Sequence, residues 1–220
     1  MSGVIGVACA VLGRFSEFSS CLANLEKPPG TMVQFEPGID VAENRRQIVS
    51  DALEAKAEWV FFVDDDMIFA PDHLMRLLAH RKPIVASLYL NRKPPYYPVA
   101  YNHRATDKDG GPIWSPVSLD GAPAEGLVDI VAAGAGGLLV RTEVFRALEH
   151  GMWFKRDGAG EDMSFCARAI EAGFEMHLDL GARMGHISTY SVWPIKGPDQ
   201  WAAGIGITKE LMVAVDLETT

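Results

Sequence analysis

Cysteine is scarce in this 220-residue chain: Cys9, Cys21 and Cys166 stand at unrelated spacings, with no CxxC pair. That argues against a disulfide framework or a cysteine zinc site and points to a reducing compartment. Long apolar runs are lacking too. The N-terminal stretch MSGVIGVACAVLGRF has no basic residue ahead of it, is broken by glycine and meets Arg14 and Glu17. A signal peptide or membrane span would need a different pattern, so we expect a first buried strand, no membrane span and a cytoplasmic location. Basic residues are outnumbered 20 to 29, a formal charge of −9, which argues against a general nucleic-acid binder, since those neutralise phosphates with Lys and Arg. No Lys-Ser/Thr closes the cluster Gly134-Ala135-Gly136-Gly137, and no GxGxxG follows the first strand, so a P-loop NTPase or a dinucleotide enzyme is poorly supported.

Composition is otherwise ordinary for a globular chain, with 48% hydrophobic and 22% charged residues. Short apolar runs alternate with longer amphipathic ones, the pattern of an α/β layered domain. Strands are expected at 3–11, 32–35, 59–63, 83–90 and 174–178, and a strand that runs through the glycine cluster at 128–140. Helices are expected at 14–26, 43–56, 73–80, from Thr142 to His150 and from Glu161 to Gly173, with Asp72 and Thr142 as caps. His73 and His80 read as solvated helix positions. Residues 91–125, rich in Pro, Gly and Asp and carrying Tyr96, Tyr97, Tyr101 and Trp114, read as surface loops with short strands. Residues 193–220 read as a segment that wraps the domain or forms an oligomer contact.

Three features can carry chemistry. Asp64, Asp65 and Asp66 follow the buried run Trp59 to Val63; adjacent carboxylates raise one another's pKa unless a cation compensates, and a divalent metal is the simplest one. A solvated acidic turn is the alternative. Glu161 and Asp162 open a helix after Gly158-Ala159-Gly160, where a carboxylate is either an ordinary dipole partner or a general base facing a substrate hydroxyl. His186, in LGARMGHIST, is either a metal ligand or an ordinary hydrogen-bonded histidine. The glycine cluster either lets a substrate approach the backbone or makes a tight bend.

The order VFFVDDDM, AAGAGGLLVRTEVF, GEDMSFCARAIEAGF and GHIS resembles the GT-A-type glycosyltransferases, most of all their large inverting, nucleotide-sugar-dependent group, over roughly residues 3–190. The resemblance implies a GT-A-like, Rossmann-type three-layer α/β/α domain with a mixed, mostly parallel central sheet. Residues 1–190 would form one domain, with 1–90 binding the nucleotide and 91–190 the acceptor, and 191–220 a C-terminal tail. FFVDDDM is similar to the DxD motif, which implies Asp64 and Asp65 at the nucleotide and Asp64 and Asp66 at a metal, Mn²⁺ or Mg²⁺, with His186 as a third ligand. GEDMSFCARA is similar to the ED motif and implies Asp162 as catalytic base with Glu161 beside it. In VAENRRQIV, Glu43 stands where the family has arginine, while Asn44 and Arg45 match in character as donor contacts. The implied activity is metal-dependent transfer of a sugar from a nucleoside-diphosphate donor to an acceptor hydroxyl with inversion; the acceptor is a glycan, protein, lipid-linked sugar or nucleic-acid hydroxyl, and a homo-oligomer is possible. A retaining mechanism competes. So does a non-catalytic carbohydrate-binding module of the same fold. A sugar nucleotidyltransferase is a third rival, but VACAVLGRFSEF has one basic residue where that class has a basic Gly-rich loop.

Overall fold

A computed structural model describes residues 2–9, 15–106, 108, 111–157, 160–188, 191–206 and 213–216. The first half builds by parallel pairing. Strand β1 (Val4–Cys9) is buried throughout and lies between β2 (Met32–Pro37) and β3 (Trp59–Asp64), parallel to both. Helix α1 (Ser16–Asn24) links β1 to β2, and α2 (Val41–Glu54) links β2 to β3. Asp40 starts α2 by accepting a hydrogen bond from the Ala42 N–H, which satisfies one of the donors a helix start leaves open.

After the turn at Asp65 come β4 (Met67–Ile68), α3 (His73–Ala79) and β5 (Ile84–Leu88). Then follow β6 (Ala100–Thr106), β7 (Pro112–Pro116), β8 (Leu127–Ile130), β9 (Ala132–Ala133), β10 (Gly137–Arg141) and α4 (Thr142–Ala147). The chain continues through α5 (Glu161–Glu171), β11 (Met176–Arg183) and β12 (Gly185–Ile187) to β13 (Ser191–Lys196), β14 (Trp201–Gly206) and β15 (Val213–Asp216).

Seven strands form the central sheet in the order β2-β1-β3-β10-β5-β11-β8. Only β10 and β8 run against the others, so the sheet is mixed and mostly parallel in direction. Each buried strand feeds two cores, because successive side chains point to opposite faces. Val60 and Phe62 pack with Ile48, Phe145 and Phe165, from α2, α4 and α5. Phe61 and Val63 pack with Phe18, Leu74 and Leu77, from α1 and α3. Three α/β/α layers result, as the resemblance implies. Smaller sheets flank them: β7-β6-β9, and β15-β14-β13-β12-β4, in which β13 pairs with β12, β14 with β13 and β15 with β14.

Four expectations need correction. Residues 128–140 are not one strand: β8 is an edge of the central sheet, β9 pairs with β6, and β10 enters the centre between β3 and β5. The glycines turn the chain there, and Gly137 has no room for a side chain, since a Cβ would lie 2.4 Å from Met184 Sδ and 2.9 Å from Ser87 Cβ. Neither Asp72 nor Thr142 caps a helix through its side chain; the Thr142 hydroxyl donates to the Ala57 carbonyl at 2.7 Å instead. His73 is buried at 2% exposure and bonded to Ser87 Oγ at 2.8 Å, not solvated. His80 is partly buried against Asp179 at 2.8 Å. The start of the first predicted helix at Arg14 and the approach Gly158-Ala159 lie outside the described residues.

Candidate active site at the carboxyl edge of the sheet

Strand β3 is apolar because both its faces are covered, and it delivers Asp64 at its carboxyl end, where open α/β sheets bind ligands. Asp64 is anchored by its own N–H, which donates to the Gly136 carbonyl. Gly136 in turn donates its N–H to the hydroxyl of buried Tyr89 at 3.3 Å. A Cβ on Gly136 would lie 3.0 Å from Asp64 Oδ2 and 3.2 Å from the Tyr89 hydroxyl. The glycine turn is therefore filled by the protein's own groups, which favours the tight-bend reading over an opening for substrate. Burial, Asp64 and Asp162 push the Tyr89 hydroxyl well above its ordinary pKa, so it keeps its proton.

Arg45 ties the two acidic motifs together. It projects from α2, is 3% exposed, and donates through Nη2 to Asp64 Oδ1 at 2.8 Å and through Nη1 to Glu161 Oε1 at 2.7 Å. Burial disfavours its charge, yet Asp64, Asp162 and Glu161 together hold its pKa above the ordinary arginine value. Phe154 packs under the guanidinium, 5.9 Å from carbon to ring centre. Asn44, its neighbour on α2, is buried beneath Gly38, whose missing Cβ makes the space: a Cβ there would lie 2.3 Å from Asn44 Oδ1.

Glu161 and Asp162 occupy the first turn of α5. Asp162 Oδ1 accepts the Met163 N–H at 2.8 Å, and Gly160 leaves room for it, since a Cβ there would stand 2.8 Å from that oxygen. Burial raises the Asp162 pKa, Glu161 and Asp64 add to the rise, and Arg45 opposes it. Arg156 approaches the other oxygen of Glu161 at 3.4 Å and Asp40 at 3.3 Å.

A second cluster forms around Asp66. Strand β12 brings in His186, whose Nε2 lies 3.6 Å from Asp66 Oδ2 while its Nδ1 stands 2.9 Å from the Leu90 carbonyl. A carbonyl only accepts, so Nδ1 carries a proton, and Nε2 is the ring nitrogen turned toward Asp66. Tyr89 packs edge-on to the imidazole at 5.5 Å. Arg92 completes the group, donating to Asp66 Oδ2 at 2.9 Å. It rides on a turn closed by hydrogen bonds from the Asn91 N–H to the Tyr97 carbonyl at 3.1 Å and from the Tyr97 N–H to Asn91 Oδ1 at 2.8 Å.

The structure thus joins Arg45, Asp64, Glu161 and Asp162 at one place, and Asp66 with His186 beside it. Asp65 lies in the intervening turn, partly buried. Among the described residues no group of three or more His, Cys, Asp or Glu is set to hold a metal. Asp66 and His186 suit a divalent ion as a pair of donors, a hard oxygen and an imidazole nitrogen turned toward it. Asp64 accepts from Arg45 through Oδ1. Sequence reasoning missed Arg92 and Tyr89. For Tyr89 the available signal was position, since it lies in the apolar run 84–90 that ends on the same edge as the aspartates; Arg92 falls two residues past that run.

No protein-family model matches the chain, and no curated protein matches it. Among solved structures, the crystal structure of A197 from STIV superposes with a TM-score of 0.68 at 12% identity, covering 96% of each chain. GalNAc-T7, crystallised with UDP, GalNAc and Mn²⁺, superposes with a TM-score of 0.51 at 15% identity. That match covers 83% of this chain, which spans 37% of the GalNAc-T7 chain. Among the described residues no helix is long and apolar enough to cross a membrane. The fold is the GT-A-like, Rossmann-type α/β architecture, a mixed sheet between helical layers.

Proposed function

We propose that this protein is a metal-dependent glycosyltransferase that moves a sugar from a nucleoside-diphosphate donor to an acceptor hydroxyl with inversion. One observation carries the reading: both acidic motifs converge on Arg45 at the carboxyl edge, with Asp66 and His186 paired next to them. The likeness in fold to a protein crystallised with UDP and Mn²⁺ supports it.

Asp66 and His186 would hold the ion, which would supply charge neutralisation at the departing diphosphate. Arg92 leaves Asp66 for a donor phosphate oxygen, keeping its charge paired. Arg45 fixes Asp64 and Glu161, so the donor and acceptor sides stay in register. Asp162 takes the acceptor proton on Oδ2, since Oδ1 is engaged with the Met163 N–H. As that proton leaves, the acceptor oxygen bonds to the anomeric carbon from the face opposite the diphosphate, whose bond breaks with the electron pair leaving on the phosphate oxygen. Burial of Asp162 serves this step, because a raised pKa makes a stronger base.

The experiment is a thermal-shift series with nucleoside diphosphates and their sugars, with and without Mn²⁺. One nucleotide should stabilise the protein only with metal, and Asp66→Asn and His186→Ala should abolish that increment. Equal stabilisation with and without metal, or none by any nucleotide, overturns the reading.

A further inference from the structure

Away from the aspartates, at the opposite end of β3, the protein carries a cleft of about 520 Å³ lined by Lys56, Glu58, Arg81, Arg141, Glu143 and Arg146. Glu58 precedes the strand and Asp64 ends it, so about 20 Å of β-structure separates this cleft from the carboxyl edge. Four of the chain's 20 basic residues meet here, against two of its 29 acidic ones.

Among the described residues none of the four forms an ion pair, although Glu58 and Glu143 share the walls; Arg146 Nη1 donates to the Thr142 hydroxyl at 3.0 Å. Backbone conformation adds a second observation. Lys56 (φ 57°) and Arg81 (φ 55°) are the described non-glycine residues with positive φ, and both line this cleft. Each lies one residue past a helix C-cap, Ala55 or His80, where glycine is favoured and a side chain costs stability. Helix dipoles account for cations after α2 and α3 and in the last turn of α4. They do not account for Arg141, which stands at the N-cap of α4, the end where a cation is disfavoured.

We propose that this cleft binds a small anion bearing two or more phosphate groups. Arg81, Arg141 and Arg146 offer planar forks that match phosphate oxygens in pairs, and Lys56 adds a point charge. The volume lies in the range of small-molecule sites, roughly 300–1,000 Å³. Glu58, Glu143 and the acidic remainder of the chain disfavour a polymer whose other phosphates would run across the surface.

Calorimetry with inorganic pyrophosphate, on the full chain in EDTA, tests this without engaging metal at the other edge. The parent should bind, and Arg81→Gly and Arg141→Gln should each weaken binding at least tenfold. Arg81→Gly also guards against misfolding: glycine suits that backbone, so its Tm should match or exceed the parent's as pyrophosphate binding is lost. The proposal is overturned if the parent does not bind, if all variants bind alike, if Arg81→Gly lowers Tm, or if a DNA duplex binds more tightly through the same arginines.

Discussion

Arg45 and Glu161, 116 positions apart in the chain, meet at 2.7 Å across the carboxyl edge of the sheet. The same guanidinium holds Asp64 at 2.8 Å, so one buried cation neutralises carboxylates from both halves. Removing it leaves charges facing one another in a poorly solvated place. Arg45→Met should therefore cost about 3 kcal/mol in urea unfolding, the low end for a broken buried pair because Asp64 keeps some contact with water. Arg45→Lys should recover part of that loss, since an ammonium is a compact point charge and cannot reproduce the two-armed fork. A loss below about 1 kcal/mol in Arg45→Met would remove the bridge from this role.

Asp162→Asn separates catalysis from stability. Turnover should fall by about 10²–10⁴-fold, the usual contribution of a positioned base, with metal-dependent nucleotide binding retained. Stability should move the other way. The folded-state pKa of Asp162 lies above its unfolded value, so ionisation favours unfolding. That penalty grows as pH rises from the unfolded pKa through the folded one and is fully present above it. The asparagine variant should be more stable than the parent at neutral pH and lose that advantage at acid pH, which urea titrations at pH 7.5 and 3.5 would measure.

The sheet and helices were readable because their signals are local: Trp59 to Val63 is a continuous apolar run, and Glu43 to Lys56 contains no Pro or Gly. The strand through Gly134 was misread because an apolar run does not say which sheet it enters, and β9 and β10 join different ones. In the site, Asp64, Asp66, Asp162 and His186 could be named from motif order. Their pairing could not, since the Arg45 bridge depends on α2 and α5 facing each other across long sequence distances. The residue on Asp66 was hidden for a simpler reason. Arg92 lies in NRKPPYY, a loop-like stretch whose turn is set by Asn91 and Tyr97, and no periodicity marks it.

Under the proposed function, Arg92, which donates to Asp66 Oδ2 at 2.9 Å, competes with the metal for that carboxylate. An exposed ion pair of this type is worth up to about 1 kcal/mol. Arg92→Ala should therefore raise Mn²⁺ affinity about fivefold in the absence of nucleotide, as measured by calorimetry. With a nucleoside diphosphate present the sign should reverse, since the side chain's second role is lost, and the nucleotide should bind more weakly than to the parent. Unchanged metal affinity would show that Arg92 does not compete for Asp66.

His73 should make the fold sensitive to mild acid. It packs between Phe61 and Phe69, with ring centres at 6.0 and 5.8 Å, and bonds to Ser87 at 2.8 Å. Burial lowers its pKa from 6.5 to about 4, with Arg76 acting the same way and Asp179 and Asp72 against it. The unfolded chain binds a proton at pH 6.5 that the folded chain refuses until about pH 4, so stability falls as pH drops through that window. At 1.36 kcal/mol per pH unit the full effect is about 3 kcal/mol. Asp179, held below the ordinary carboxylate pKa against burial by Arg76 and His80, contributes its own loss only at lower pH, and Asp162 works in the opposite sense. The difference between parent and His73→Gln in urea unfolding at pH 6.5 and 4.5 isolates the histidine. The parent should lose about 2 kcal/mol more than the variant over that interval, and equal losses would place the acid sensitivity elsewhere.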